Sequence, residues 1–209
     1  MNDYPFQPGS SLSEWAFIAI LVAVLFMLFR GIRVASTGTP ALLTPRLLTT
    51  ALVVLVWLGI FYAVVRSGAI AAKPMPRLVL LFVSVNIVSI VIGLSAIGRW
   101  LASGLSLGTL VAFHGFRLPL EIVLHSWAQQ GTIPATMTWN GSNFDIITGV
   151  LAFLIAPFAT RFRGLAWGFN LIGLGLLINV IRVAVLSSPL PFAWPLCQRP
   201  ARFDPPSAV

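Results

Sequence analysis

The chain has 209 residues, of which 58% are hydrophobic and 9% are charged. A soluble protein of this length needs a polar surface that this composition does not supply, so the long apolar runs predict membrane spans. Basic residues outnumber acidic ones by 13 to 5, which gives a net charge of +8. Most arginines lie at the ends of apolar runs, where they meet lipid headgroups and set topology, and this distribution argues against nucleic-acid binding.

Cysteine usage and the N-terminal segment exclude two further classes. Cys197 is the only cysteine, so an intramolecular disulfide and a cysteine metal cluster are both excluded. Residues 1–13 contain no Lys or Arg, and the first apolar run is followed by "RGIR" instead of a small-residue cleavage site. We therefore predict that the first run is a retained span and not a cleaved signal peptide.

The apolar runs predict an all-α, polytopic transmembrane helix bundle without β-sheet. A helix needs about 20 apolar residues to cross the ~30 Å hydrocarbon core of a bilayer. The tail 187–209 is too rich in proline to continue a helix. We predict one integral-membrane domain, 1–209, with about six spans at 14–34, 47–65, 78–98, 101–128, 144–160 and 165–186.

Arginine and lysine in short loops predict the orientation of the chain. The N-terminal segment has no basic residue, whereas the first loop has Arg30, Arg33 and Arg46. The turn after the fifth predicted span adds Arg161 and Arg163, while the second loop, which is also basic, favours the opposite orientation. On balance we predict a multi-pass protein of the cytoplasmic (inner) membrane with its N-terminus outside.

The fourth predicted span carries Arg117, Glu121 and His125 at intervals of four residues. On a helix this spacing forms one polar stripe, about 12 Å long. A charge near the bilayer centre costs roughly 2.5–3.5 kcal/mol, so the stripe should face the bundle interior. An ion pair that only holds helices together explains the pattern as well as a functional site does. Pro119 favours a site, because it frees a backbone carbonyl and predicts a kink beside the charges.

His125 has two interpretations. It could relay protons or bind a metal, but a histidine at the membrane interface near Trp127, donating to a backbone carbonyl, is favoured. His114 lies about 16 Å along the same helix, too far to share an ion with His125. A metal would need Glu121, His125 and Asp145 to converge, and we predict no metal site.

The polar run "TMTWNGSNFDIITG" precedes the fifth predicted span. Its Asn-Gly pair suits positive backbone φ angles in a turn, and Asn143 or Asp145 can cap the helix that follows. A cap needs one such residue, whereas the run offers Asn140, Ser142, Asn143 and Asp145. We therefore predict that this loop folds back over the mouth of the bundle and brings Asp145 or Asn143 close to Arg117 and Glu121.

The last predicted span contributes Asn179 and Arg182, which share a helix face at i, i+3. Arg182 could reach the lipid headgroups or take part in a buried site. With Arg117, Glu121 and Asp145, it makes two positive and two negative charges within the predicted spans. Neutral pairing is therefore feasible.

Three segments, "FRLPLEIVLH", "MTWNGSNFDIITG" and "WGFNLIGLGLLINV", resemble a family of uncharacterised bacterial multi-spanning membrane proteins. The resemblance covers roughly residues 100–195, and its most specific part is "NGSNFDI" after an R-x-x-x-E helix. The resemblance to this family implies no particular activity for the chain. Its members continue into another apolar helix, so the resemblance implies a divergent or shortened C-terminus here.

The segment "NVIRV" also resembles the Asn-x-x-Arg segment of exosortases, which are membrane-embedded cysteine transpeptidases. Those enzymes need a cysteine nucleophile within a span. Cys197 lies in the tail after the last predicted helix, so the chain departs from that family at the nucleophile. Exosortase catalysis is therefore not expected.

Three functions remain open, and all assume contact with the lipid bilayer. The first is binding or transport of a small polar or anionic molecule or of protons. The second is a non-catalytic subunit of a membrane complex, bound to a membrane-protein partner. The third, least favoured because no motif supports a named reaction or a cofactor, is an enzyme with Glu121 or Asp145 as acid or base and His125 as partner. The predicted ligand-binding residues are Arg117, Glu121, His125, Asn140, Asn143, Asp145, Asn179 and Arg182.

Overall fold

The computed structural model describes residues 7–68 and 74–187, and these residues form helices, turns and loops without any strand. The all-α prediction is therefore confirmed for this part of the chain. Cys197 and the predicted tail from residue 188 onward lie outside the described residues. The helices are α1 (Ser11–Ala35), α2 (Leu43–Arg66), α3 (Pro74–Leu94), α4 (Ala96–Ser103), α5 (Leu107–Phe113), α6 (Arg117–Gln129), α7 (Ile146–Ala159) and α8 (Arg163–Ser187). Short 3-10 turns lie at Pro40–Leu42, His114–Phe116 and Ala135–Met137.

Long apolar helices indicate an integral membrane protein. Four segments are long and apolar enough to cross a bilayer, namely Ser11–Ala35, Pro40–Arg66, Leu107–Gln129 and Arg163–Val183. No residue in the apolar 18-residue stretch of Pro40–Arg66 is buried within the protein, as expected of side chains that contact lipid. The predicted count of six spans is not confirmed. A fifth is reached only by counting α3 and α4 together, and α7 has 14 residues, about 21 Å at 1.5 Å per residue.

The predicted span 78–98 is interrupted at Ser95, where the chain bends by 61° between α3 and α4. The Ser95 hydroxyl donates to the Ile92 carbonyl at 2.7 Å and accepts from the Gly98 amide at 3.3 Å. The side chain thus satisfies the end of one helix and the start of the next. Since α4 continues to Ser103, the next helix begins at Leu107 and not at the predicted residue 101.

The described chain divides into two compact units. One contains residues 25–106, with the end of α1 and helices α2 to α4. There Arg46 donates to the hydroxyls of Ser36 (3.2 Å) and Thr39 (2.9 Å), and its guanidinium lies 4.2 Å from the Trp100 ring centre. The other unit contains the start of α1 with helices α5 to α8. That the chain forms one integral-membrane domain stays a prediction.

Helix α7 is central to the unit that contains α5 to α8, and it packs against α5, α6 and α8. Glycines allow the close approach. A Cβ at Gly149 would lie 2.6 Å from the Leu118 amide nitrogen, and one at Gly108 would lie 2.7 Å from the Ala156 carbonyl oxygen. These two contacts set α7 antiparallel to the first half of Leu107–Gln129. The register places the residue before α7 beside the first residue of α6.

The helix irregularity that we predicted at Pro119 lies before the proline. The segment Leu107–Gln129 is interrupted by the 3-10 turn His114–Phe116, and α6 starts directly afterwards. Pro119 is the third residue of α6, in the first turn, where a backbone N–H has no partner within the helix. The irregularity therefore precedes the proline, which begins a helix instead of bending one.

Candidate functional site

Arg117 and Asp145 form an ion pair between α6 and the residue that precedes α7. One terminal nitrogen of the guanidinium, Nη1, contacts both carboxylate oxygens of Asp145. The two side chains are 16% and 10% exposed. Asp145 occupies the N-cap position of α7, but its side chain makes no capping bond. Of the two residues that we considered as caps, Asn143 and Asp145, the second lies at the N-cap position without a capping bond, and its carboxylate matches a buried charge instead.

Glu121 lies one turn after Arg117 and is 2% exposed. Its Oε1 accepts a hydrogen bond from the Asn143 side-chain nitrogen at 2.9 Å. That nitrogen also donates to the Met137 carbonyl at 3.0 Å, while the Asn143 side-chain oxygen accepts from the Asp145 amide at 3.0 Å. Asn143 thus links both acidic residues. Arg117, Asp145, Asn143 and Glu121, called the polar network below, are brought together as predicted.

The loop before α7 reaches the polar network because it doubles back on itself. Thr138, fully buried, donates from its hydroxyl to the Ala135 carbonyl at 2.9 Å, and its own carbonyl accepts from the Gly141 amide at 2.9 Å. A Cβ at Gly141 would lie 2.6 Å from the Ala135 carbonyl oxygen. The described glycines with positive φ are Gly68 and Gly131. Close approach, and not the expected positive φ, is therefore what requires glycine at 141.

Asn179 of α8 joins the loop from the opposite side. Its side-chain nitrogen donates to the Ser142 carbonyl at 2.6 Å, and its side-chain oxygen accepts from Arg182 at 2.9 Å. Arg182 is exposed and orients the Asn179 amide. These two residues therefore support the loop backbone next to Asn143, and Arg182 does not pair with Glu121.

Two predicted site residues lie apart from the polar network. His125 stacks on Trp139, with ring centres 4.3 Å apart and planes inclined by 17°, and its Nε2 lies 3.1 Å from Gln129 Nε2. Trp127, which we expected next to His125, donates to the Ser13 hydroxyl at 2.9 Å. Asn140 is exposed on the loop. Among the described residues no three His, Cys, Asp or Glu side chains converge as a metal site would require.

Sequence reasoning missed Thr148 and considered His114 as a metal-binding partner of His125 without counting it among the ligand-binding residues. Thr148 is 1% exposed on the buried face of α7, and His114 lies in the 3-10 turn, with its ring centre 5.3 Å from that of Phe169. A signal was available for both, since His114 precedes Arg117 by three residues and Thr148 follows Asp145 by three. That spacing puts each on the same helix face as a member of the ion pair.

No protein-family model, no curated protein and no solved structure matches this chain.

Proposed function

We propose that this integral membrane protein binds a small polar or anionic molecule or protons at the polar network, or moves them across the cytoplasmic membrane. The observation that carries the proposal is the depth of the network. Arg117 lies near the middle of the segment Leu107–Gln129, which is long enough to cross a bilayer. A buried, hydrogen-bonded cluster of charged side chains at mid-depth is costly to insert and is typical of substrate and ion sites.

The short helix α7 supports this proposal. Because Asp145 meets Arg117 and Gly108 meets Ala156, α7 runs from mid-depth to the face where α5 begins. The loop 130–145 then dips from the other face to mid-depth, which is tolerated only where protein or water satisfies its backbone. Half-helices that begin at mid-depth form the substrate sites of many transporters. In this proposal the loop and α7 together make one of six crossings, α3 and α4 make a broken one, and the N-terminus is outside.

Two atoms of the network, Glu121 Oε2 and Arg117 Nε, have no hydrogen-bond partner in the part of the chain that the structure describes. A buried polar atom left unpaired costs about 1–3 kcal/mol. If the network only fixed helix packing, we would expect each of its polar atoms to bond within the network. An acceptor and a donor without partners therefore favour a binding site. The complete Arg117–Asp145 contact favours the alternative, a non-catalytic subunit whose ion pair fixes helix packing.

The test is ligand-induced thermal stabilisation of the purified protein in lipid nanodiscs. A panel of small carboxylates, phosphates and neutral polar compounds should contain members that raise the unfolding midpoint. Glu121→Gln keeps the side-chain size and removes a charged acceptor, so it should reduce this shift. The matched control is Glu14→Gln, since Glu14 is exposed in the first turn of α1. Absence of stabilisation by every compound would overturn the binding proposal and favour the subunit.

A further inference from the structure

A cleft of about 190 Å³ lies beside the polar network, between the 3-10 turn His114–Phe116, α7 and α8. Arg117 and Gly173 both line it, and each lies near the middle of a segment long enough to cross a bilayer. In the proposed topology the cleft is therefore at mid-depth, beyond the reach of a lipid headgroup. An engineered apolar cavity of about 150 Å³ binds benzene, so the cleft is large enough for a small ring system.

Three residues that line one wall of the cleft each carry a buried polar atom without a hydrogen-bond partner among the described residues. These atoms are His114 Nδ1, Arg117 Nε and Thr148 Oγ1. Buried polar atoms are paired in most proteins, so three unpaired ones at a single cleft need an explanation. Arg117 Nε can only donate, so an acceptor atom on a bound molecule would satisfy it.

The charges around the cleft disfavour an anion. The Arg117 charge is already matched by Asp145, which contacts Nη1. Glu121 adds a further acidic group, 2% exposed, one turn along α6. An anion bound at Arg117 Nε would therefore add negative charge to a buried region where, among the described lining residues, no second Arg or Lys can match it. A neutral acceptor, such as a carbonyl oxygen, meets the donor without this cost.

The opposite wall of the cleft is mainly apolar. Phe169, Leu174 and Leu177 line it together with the exposed Asn170, and Gly173 leaves it open. Leu174 is 56% exposed, as expected of a residue that contacts lipid, so the cleft borders the lipid-facing side of α8. A molecule with an apolar body could enter from the bilayer along this side.

We infer that the cleft binds a neutral, mainly apolar molecule that presents one or two hydrogen-bond-acceptor oxygens, of the ketone, ester or quinone type. The inference rests on the proposed function and assigns a ligand class to the cleft beside the polar network: a neutral molecule whose polar part is its acceptor oxygen. Thr148 and Arg117 Nε hold the acceptor, and the α8 wall holds the apolar body.

Three probes of matched size test the inference in nanodiscs: 2-acetylnaphthalene (a neutral acceptor), 2-ethylnaphthalene (no acceptor) and 2-naphthoate (an anion). The ketone should raise the unfolding midpoint and bind about tenfold more tightly than the hydrocarbon, since one hydrogen bond to a charged donor separates them. The naphthoate should bind more weakly than the ketone. Tighter binding of the naphthoate, or equal binding of all three, would overturn the inference.

Two variants distinguish binding in the cleft from partition into the bilayer. A Cβ built at Gly173 meets only the Thr148 methyl group, at 3.8 Å, so the larger Gly173→Leu side chain should occupy the cleft and abolish the ketone effect. Gly175→Leu is the matched control, because Gly175 is exposed and has open space beside it. Thr148→Val, which replaces the hydroxyl with a methyl group, should weaken binding of the ketone and leave binding of the hydrocarbon unchanged. If Gly173→Leu and Thr148→Val both bind the ketone as tightly as the wild type does, the cleft is not the binding site.

The result with these three probes can be distinguished from the result with the panel of polar compounds that tests the proposed function. Stabilisation by other polar compounds, lost in Glu121→Gln, together with no response to the ketone, would overturn this inference and leave the proposed function standing. No response to any compound would overturn both.

Discussion

Replacing Asp145 with asparagine should leave the Arg117 guanidinium buried without its counter-charge. Removing one partner of a buried pair costs about 3–5 kcal/mol, and since the two side chains retain 16% and 10% exposure we expect the lower end of that range. Asparagine has nearly the same shape, and the Asp145 side chain makes no capping bond to α7. The loss therefore reports the charge together with one of the two acceptor oxygens that Arg117 contacts. Arg117→Gln should cost a similar amount, because it leaves Asp145 and Glu121 together without a cation.

The assay is the free energy of unfolding in mixed micelles for the wild type, both single variants and the double variant. Because the two side chains touch, their effects should not add, and the double variant should recover about 2 kcal/mol of the summed loss. Glu14→Gln, on the exposed first turn of α1, should change stability by less than about 0.5 kcal/mol. A loss below about 0.5 kcal/mol in Asp145→Asn, or strictly additive effects, would refute the view that this pair stabilises the fold.

Two further predictions compare chemically identical changes at different sites. Thr148→Val should be neutral or stabilising by up to about 1 kcal/mol, because it replaces an unpaired buried hydroxyl. Thr138→Val should destabilise by about 0.5–1.5 kcal/mol, because the Ala135 carbonyl loses the hydroxyl bond and keeps the bond from the Thr138 amide. Equal effects in the same unfolding assay would contradict this. Gly141→Ala should destabilise by about 1–3 kcal/mol because its Cβ overlaps the loop backbone. Gly164→Ala, in α8 with open space around it, should be neutral or stabilising. A Gly141→Ala protein as stable as the wild type would show that the loop takes another path.

Much of the site could be predicted because charge in a bilayer is so costly. That cost made it necessary for Arg117 and Glu121 to face protein, and they do, at 16% and 2% exposure. The same cost made it necessary for Arg117 to find an acidic partner. The next run rich in polar residues supplied Asp145. These inferences need only composition and spacing, which the sequence contains in full.

The partner choices could not be predicted, because they depend on the register between helices. Glu121 bonds to Asn143 and not to His125 or Arg182, since close contacts at Gly149 and elsewhere along α7 fix its position beside α6. A glycine in an apolar run shows that close packing is feasible, but not against which residue.

The predicted boundary between the third and fourth spans was wrong for a related reason. Ser95 stands in an apolar run where a serine usually bonds back to its own helix. Here the hydroxyl does that and also accepts from the helix that follows. The second bond exists only once the chain has bent, so the 61° break is a property of the folded state.

Asn143 uses each hydrogen-bonding atom of its side chain, and this limits which residues natural variation can place there. It must donate twice, to Glu121 and to Met137, and accept once from the Asp145 amide. Aspartate has no N–H to donate, serine has a single hydroxyl, and glutamine places its amide one carbon further from the backbone. Among orthologues, position 143 should therefore change only together with position 121, while neighbouring Asn140, exposed to solvent or headgroups, should vary freely. Coupled substitution of this kind would be the evolutionary trace of a loop whose path depends on one amide.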